Sequence, residues 1–479
     1  MNKIEVGLAQ KKGFAHKPGK QIKIFPFVSN PSAERLSDDL ISFKGVVGEV
    51  FRSHQQKSLT KDLEGSHSFH QTLKQTILDN AISQVDTDVP DDLRRILSDL
   101  FFTDEENLIK FNSETLCYLS FINPEGALKN LGEFMYETFF QHVSLDSTNS
   151  GESENLLNKL ILQSLPALPS STKRTKDISY SNLLPRLIDQ FYEDFRLLTR
   201  NKELFLKHIE DLSKFYFFQY FAQILVGFNT LGQKEETISP ISFTLDWEIL
   251  SRSRLNNHAI SWRNNLNEYY QNIFVHANVL ELLNHITVND EKLKDYNNIR
   301  SLYSGLEEQE RSLFEHSVSQ IINIYTNGIK NFHVGASWED CEEKLLFDLE
   351  LQNFENVCDK LLYELYYKVK YQFENSERSA ASARYNSWFL KFCQHNYLKH
   401  RGPLGYALTV NQELLLFLTR LSVGENDKIR LKSLWCEFEK RGIHFDESSK
   451  SEIVKLYEKI NLIEKKSDSG DAQYVKSII

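Results

Sequence analysis

Hydrophobic residues recur at helical spacing along most of the chain, and the clearest run lies at residues 409–479. Three apolar faces follow one another there. The first face comprises Leu414, Leu415, Leu418 and Leu421. The second face comprises Leu431, Leu434, Trp435 and Phe438. The third face comprises Ile453, Leu456, Tyr457 and Ile460. The pattern predicts three short amphipathic helices, each with one face turned to a shared core.

Residues suited to helix ends separate these three faces. Thr409 and Gln412 stand at capping-box spacing before the first face. Gly442 follows the second face, where a left-handed cap is favourable, and Asp446 is a good N-cap for the third helix. The three helices are therefore expected to be separate and closely spaced.

A β-hairpin is predicted after the third helix. Residues 462–466 and 472–478 have strand-like composition, and the polar turn between them contains Gly470. Three helices followed by a hairpin is the order of a winged helix-turn-helix. The predicted fold class is therefore mainly α, with multi-helix bundle domains and a C-terminal winged helix-turn-helix made of three helices plus a β-hairpin.

Breaks in composition divide the rest of the chain. The first thirty residues carry six lysines against Glu5, a net charge of +5, and their glycines and prolines discourage helix. A polar, acidic stretch begins at Ser144 and is typical of a linker. We predict a basic extended arm at residues 1–30, an N-terminal helical domain at 31–143, a linker at 144–180, a central helical domain at 181–400 and the winged-helix domain at 401–479.

Residues 338–373 have the pattern of one long, coiled-coil-like helix. Its apolar residues step by four and three positions, and they are Phe347, Leu351, Phe354, Cys358, Leu361 and Leu365. The run is shorter than three full heptads, which favours a place in a bundle core over an extended dimer. A partner helix from another subunit remains an alternative.

Composition indicates the cellular compartment in which the protein is expected to act. The chain of 479 residues has a net charge of −10, and its five cysteines include no C-x-x-C pair, which fits reduced thiols in a cytoplasmic protein. No signal peptide is predicted at the lysine-rich start. The most apolar run, residues 215–228, is too short to cross a bilayer, so we expect a buried core helix and no membrane association.

The winged-helix prediction suggests duplex DNA as a ligand. The candidate contacts are Ser448, Ser449, Lys455, Lys459, Lys465 and Lys466. The charge supports this only in part: residues 401–479 contain 13 Lys plus Arg and 12 Asp plus Glu, a net of +1, and residues 446–460 have a net of −1. Docking of a protein partner is therefore an equal alternative.

No catalytic constellation is found in the sequence. Phosphate-loop, dinucleotide-binding, nucleophile-elbow and zinc-protease motifs do not occur. Asp246 and Glu248 could bind a metal as paired carboxylates, but a capping role or ion pairing with Arg252, Arg254 or Arg263 is the favoured interpretation. We predict no catalytic residue, no metal ligand and no cofactor, and therefore a protein that is not an enzyme by itself.

Three strings near the C-terminus carry a family resemblance. They are Arg401–Tyr406 (RGPLGY), Lys440–Asp446 (KRGIHFD) and Leu462–Val475 (LIEKKSDSGDAQYV). Together with the chain length and the Leu245–Glu248 stretch (LDWE), they resemble the DNA phosphorothioation-dependent restriction protein family DptG, also called DndG. The resemblance implies a bacterial restriction complex with DptF-like and DptH-like subunits, one of them helicase-like, that attacks double-stranded DNA lacking a sulfur-modified backbone. It implies no catalytic residue in this chain.

Three functions remain open on this basis. The favoured hypothesis is a non-catalytic subunit that scaffolds ATP-using partners in anti-phage defence and helps to engage unmodified DNA. The alternatives are a nuclease or hydrolase subunit without a recognisable motif, and a protein-docking adaptor that does not contact DNA.

Overall fold

The computed structural model describes residues 3–6, 19–26, 41–59, 63, 69–120, 127–144, 155–171, 179–233, 238–250, 254, 262–402, 405–465 and 473–478. Within these ranges the chain is mainly α-helical, as the hydrophobic spacing predicts. The strands are two to five residues long, and several of their pairings join segments that are distant in sequence.

Short helices make up the N-terminal part. The elements are β1 (Ile4–Val6), α1 (Lys44–His54), α2 (Phe69–Ser83), α3 (Pro90–Phe101), α4 (Ala127–Met135, continued by a π-helical turn at Tyr136–Phe140) and α5 (Leu156–Ser164). Local chemistry explains several of their starts. Pro90 opens α3, where its missing N–H costs nothing, and the Asn155 side chain accepts a hydrogen bond from the Asn158 N–H at the start of α5.

The centre of the molecule is a long helix, α7 (Lys202–Asn229), which follows α6 (Pro185–Thr199). Almost all of its second half is buried, which confirms the predicted core helix at residues 215–228. The Phe221 ring centroid lies 5.3 Å from that of Phe134 and 4.8 Å from that of Trp388. One aromatic helix thus joins early and late parts of the chain in a single core.

Residues 238–396 surround this helix. After β2 (Ile241–Ser242) and β3 (Thr244–Leu245), a helical run at residues 262–272 leads into α8 (Ile273–Leu283). The elements that follow are β4 (Ile286–Val288), β5 (Glu291–Lys292), α9 (Tyr296–Gly305), α10 (Glu308–Gly328), α11 (Trp338–Leu351), α12 (Val357–Glu374) and α13 (Ser379–Asn396).

The prediction of a single helix at residues 338–373 is wrong. The structure has two helices, α11 and α12, separated by residues 352–356. The Asn356 side chain accepts a hydrogen bond from the Asp359 N–H and so caps a new helix. An asparagine side chain offers this alternative to a continued backbone ladder, and spacing alone does not reveal it.

The described part of the basic arm is packed on the core. Four successive backbone N–H groups, of residues 19–22, donate hydrogen bonds of 2.8–3.4 Å to the Glu281 carboxylate. Phe25 is buried, with its ring centroid 5.6 Å from that of Phe221. Phe25 therefore packs on the body of the molecule, whereas Phe27 lies outside the described residues.

The C-terminal part contains three helices and several short strands. The elements are β6 (Leu398–His400), β7 (Tyr406–Val410), α14 (Gln412–Val423), β8 (Lys428–Arg430), α15 (Leu431–Lys440), β9 (Ile443–His444), α16 (Glu447–Lys459), β10 (Ile463–Lys465) and β11 (Gln473–Lys476). The predicted hairpin is confirmed, because β10 and β11 pair antiparallel with Ile463 opposite Val475. The N-cap of α14 is Asn411 and not Thr409, which belongs to β7.

Strand pairing connects these three helices to the centre of the molecule. β9 pairs in parallel with β2, and β7 pairs in parallel with β3. β8 adds to the hairpin, so that one sheet has the order β10–β11–β8. The sequence predicts β10 and β11 but not β8, β9 or β2.

Candidate nucleic-acid interface

The start of α16 is fixed by Asp446. Its carboxylate accepts a 2.7 Å hydrogen bond from the Ser449 N–H, so the predicted N-cap is confirmed. Ser448 is exposed in the first turn, while Ser449 is fully buried. The two serines proposed as phosphate contacts therefore face different environments.

Ser449 belongs to a buried polar cluster. Its hydroxyl donates to the Glu248 carboxylate at 3.0 Å and accepts from Arg254 Nη2 at 3.1 Å. The same Arg254 nitrogen lies 2.8 Å from Asp446 Oδ1. Ser449 thus anchors α16 to Glu248 and Arg254 and offers no surface to a ligand in this structure.

The same cluster accounts for Glu248, one of the two carboxylates considered for a metal. Glu248 is buried, accepts a hydrogen bond from the Leu245 N–H at 3.1 Å and pairs with Arg254 at 3.3 Å. The favoured ion-pair interpretation is confirmed for this residue. Among the residues that the structure describes, no group of three or more His, Cys, Asp or Glu side chains is arranged to hold a metal ion.

The exposed face of α16 alternates in charge. Ser448, Lys455 and Lys459 share this face at helical spacing, and all three are exposed. Lys455 Nζ lies 2.7 Å from Glu452 Oε1, whereas Lys459 forms no ion pair with any described residue. Lys455 is therefore neutralised by a glutamate of its own helix, whereas Lys459 is available to an anion.

The candidate residues of the hairpin show the same partial neutralisation. Lys465, at the end of β10, lies 2.7 Å from Glu458 Oε1 on α16. Lys466 lies outside the described residues. Exposed pairs of this kind contribute only about 0–1 kcal/mol, so a phosphate can compete for the lysines, but the carboxylates remain nearby and repel it.

A second cationic surface lies on the outer face of the β10–β11–β8 sheet. The register places Lys428 opposite Lys476 and Arg430 opposite Tyr474, which puts these four side chains on one face. Lys428 is neutralised by Glu464 at 2.7 Å. Arg430 and Lys476 form no ion pair with any described residue.

Sequence reasoning missed this surface because residues 424–427 were interpreted as a polar link between helices and no strand was predicted at residues 428–430. A signal was present in the alternation of Lys428, Ile429 and Arg430, in which an apolar residue stands between two cations. Three residues are too few for such a pattern to predict a strand. The pairing with β11 decides it.

The loop after α15 is held by a buried ion pair. Arg441 Nε donates to Asp194 Oδ2 on α6 at 2.8 Å, and the Tyr216 hydroxyl donates to the same oxygen at 2.6 Å. Burial by itself would lower the pKa of the Arg441 guanidinium, but the Asp194 carboxylate outweighs burial and holds that pKa above its usual value. The guanidinium stays charged, and the pair fixes the C-terminal helices against α6.

The remaining chemistry of the described residues is unremarkable for a helical protein. Four cysteines are buried, and Cys436 on α15 is exposed. Burial raises the pKa of the Cys117 thiol to about 11, so this thiol is protonated at neutral pH.

Within the described part of the chain, no helix combines the length and apolar character needed to cross a membrane.

In comparisons with known proteins, no family model matches this chain, and no curated protein matches it.

Proposed function

We propose that this chain is a non-catalytic subunit of a phosphorothioation-dependent restriction complex of the DptG (DndG) kind, acting in the cytoplasm in antiviral defence. Residues 401–479 form a winged helix-turn-helix that helps the complex to hold double-stranded DNA. The rest of the chain scaffolds DptF-like and DptH-like subunits, one of which uses ATP. The absence of recognisable catalytic motifs in the sequence motivates the non-catalytic role.

The order of elements at residues 412–476 carries the proposal. Apart from the two-residue strand β9, which pairs with β2, the order is helix, strand, helix, helix and hairpin, and β8 joins the hairpin in the sheet β10–β11–β8. Winged helix-turn-helix modules have this order. The three strings quoted above, which resemble the DptG family, lie in or beside the same residues.

The charge distribution favours weak DNA contact by this subunit alone. Lys455 and Lys465 are paired with glutamates of α16, while Lys459, Arg430 and Lys476 are not paired with described residues. Few uncompensated cations mean few phosphate contacts and a small electrostatic contribution to affinity. The DNA contact is therefore expected to matter within the assembled complex.

The same pairing supports a second candidate, a protein dock. A helix face that alternates between lysine and glutamate suits another protein with complementary charges as well as it suits phosphate. In this alternative the C-terminal helices hold a partner subunit and never meet DNA.

Charge reversal in the assembled complex separates the two candidates. Three double variants share one total charge change: Lys455→Glu/Lys459→Glu on α16, Lys465→Glu/Lys466→Glu at the hairpin and Arg430→Glu/Lys476→Glu on the sheet. A fourth, Lys207→Glu/Lys360→Glu, reverses exposed lysines elsewhere as the matched control. Duplex affinity is measured by fluorescence anisotropy over a range of salt concentrations, and subunit retention by size-exclusion chromatography.

For a DNA-binding module, we expect the α16 and hairpin variants to bind at least about tenfold more weakly than the control, with a salt dependence reduced by up to about 2 in log–log slope. The sheet variant shows whether the outer face of the sheet adds phosphate contacts. Unchanged DNA affinity combined with loss of a partner subunit would establish the protein dock.

A further inference from the structure

α11 (Trp338–Leu351) is a peripheral helix that packs on α12. Its inner face buries Cys341 and Leu345. The Glu342 carboxylate, beside this face, lies 2.6 Å from Lys368 Nζ of α12. These contacts hold the helix in place and leave its opposite face directed away from α12.

Three large apolar side chains are exposed away from α12. Leu346, Phe347 and Leu351 are 62%, 67% and 67% exposed. Phe347 and Leu351 are four residues apart and so are neighbours on the helix surface, whereas Glu343 and Glu350 lie between Phe347 and Leu346. Single exposed apolar residues are common on protein surfaces, but three large ones grouped on a short helix are typical of an interaction site.

Phe347 and Leu351 are also the first two residues of the apolar series that continues through Cys358 to Leu365. After the break at residues 352–356, Cys358 and Leu365 turn into the core and are buried. The first part of the series keeps the spacing of a helix–helix seam but has no helix of the described residues covering it. Phe347 and Leu351 are therefore left uncovered, although their spacing suits contact with a second helix.

The acidic residues beside this seam indicate the charge of the partner. Glu343 and Glu350 are exposed, form no ion pair with any described residue and each lie three or four positions from both Leu346 and Phe347. In the heptad set by Phe347 and Leu351 they occupy g positions, which select partners through interhelical ion pairs. α11 as a whole contains six acidic residues and one lysine.

We propose that this face of α11 docks a basic amphipathic helix of another protein, with an apolar seam over Leu346, Phe347 and Leu351 and with Lys or Arg opposite Glu343 and Glu350. A second copy of this chain fits less well, since two acidic seams would face each other and repel. The surface is small, so the contact is a transient one. The proposal is independent of the function proposed for the C-terminal helices.

A designed peptide provides the probe. It is a fluorescein-labelled helix of about three heptads with leucine at a and d and lysine at e and g, which also disfavours its own dimerisation. Binding to the full chain is measured by anisotropy for the wild type, Phe347→Ser/Leu351→Ser and Glu343→Lys/Glu350→Lys. The matched controls on α3 are Ile96→Ser/Leu100→Ser, which removes two exposed apolar residues, and Asp91→Lys/Asp99→Lys, which removes two exposed acids.

We expect both α11 variants to weaken peptide binding by about tenfold or more and both α3 variants to leave it within about twofold. Circular dichroism verifies that each variant is folded, which is expected because every substituted residue is exposed. Equal affinity of all five proteins, or equal losses on α3 and α11, would overturn the proposal.

Two other occupants of the surface have distinct signatures. A wild-type dimer in analytical ultracentrifugation that Phe347→Ser/Leu351→Ser converts to monomer would assign the face to a second copy. The N-terminal lysines of this chain are the other possibility. If Lys11→Glu/Lys12→Glu/Lys17→Glu increased peptide affinity by about tenfold, these lysines would be the occupant and the proposal would be wrong.

Discussion

At the scale of single residues, a buried histidine makes the stability of the protein depend on pH. His276 on α8 is fully buried, and its Nδ1 lies 3.0 Å from the Tyr296 hydroxyl. Its Nε2 has no hydrogen-bond partner among the described residues. Burial, assisted by the positive charge of Lys370, lowers the pKa of this imidazole from 6.5 to about 3.

The low pKa of His276 predicts a loss of stability in acid. Above pH 6.5 the imidazole is neutral in both the folded and the unfolded chain. As the pH falls from about 6.5 towards about 3, only the unfolded chain takes up the proton, so folding loses free energy. This residue alone lowers the free energy of unfolding by about 2 kcal/mol between pH 7.5 and pH 5.

His276→Asn tests this prediction, because asparagine keeps a polar atom near Tyr296 but does not titrate. Denaturant unfolding at a series of pH values gives the difference in stability between wild type and variant. We expect that difference to change by about 2 kcal/mol across the stated range. Parallel pH profiles would show that the folded chain accommodates a charged imidazole.

At the scale of elements, the end of α15 depends on one glycine. Gly442 has a φ of 81°, as the predicted left-handed cap requires. A Cβ atom at this position would lie 2.5 Å from Oε1 of Gln219 on the central helix α7. The glycine therefore serves two purposes, since it allows the turn and allows α7 to approach.

Gly442→Ala should destabilise the protein through both effects. Gly335→Ala is the matched control, because Gly335 has a φ of 91° but no atom within 4 Å of an added Cβ. We expect about 1 kcal/mol from backbone strain at Gly335 and a clearly larger loss at Gly442, measured by denaturant unfolding. Equal losses would mean that Gln219 moves aside at no cost.

At the scale of the whole molecule, the C-terminal helices are joined to the rest by buried polar contacts and short parallel strands. Arg441 and Asp194 are 247 positions apart and are both almost fully buried. β2 and β3 extend the connection by pairing with β9 and β7. These contacts hold the C-terminal helices in a fixed orientation relative to α6, β2 and β3.

Removing one partner of the buried pair should be far more costly than removing both. Asp194→Ala leaves Arg441 buried without its counter-ion, and we expect a loss of about 3–5 kcal/mol. Asp194→Leu/Arg441→Met is expected to recover much of that loss, because neither charge is then buried. Guanidinium unfolding gives both values.

The exposed pair Arg95–Asp92 on α3, with nitrogen and oxygen 3.2 Å apart, is the control for this comparison. Asp92→Ala should cost less than about 1 kcal/mol, since water screens both charges. A comparable loss at Asp92 and Asp194 would contradict the assigned role of the buried pair.

Local chemistry and spacing in the sequence were sufficient to predict the helical class, the core helix at residues 215–228, the hairpin and several helix ends. The N-cap formed by Asp446 and the left-handed turn at Gly442 involve only nearby residues of the chain, so these two roles are visible without a fold. The break before Asn356 and the N-cap at Asn411 are also local. The heptad spacing predicted an unbroken helix instead, and the capping-box spacing pointed to Thr409.

Only the tertiary structure decided which polar residues are surfaces and which are anchors. Ser448 and Ser449 are adjacent and chemically identical, yet one is exposed and the other is bonded to Glu248, 201 positions away. The cationic face of the sheet likewise depends on the pairing of β8 with β11, and the exposure of Phe347 depends on which side of α11 meets α12. Periodicity states that a helix has an apolar face. Contacts between distant segments determine whether that face is covered, and such contacts leave no periodic signal in the sequence.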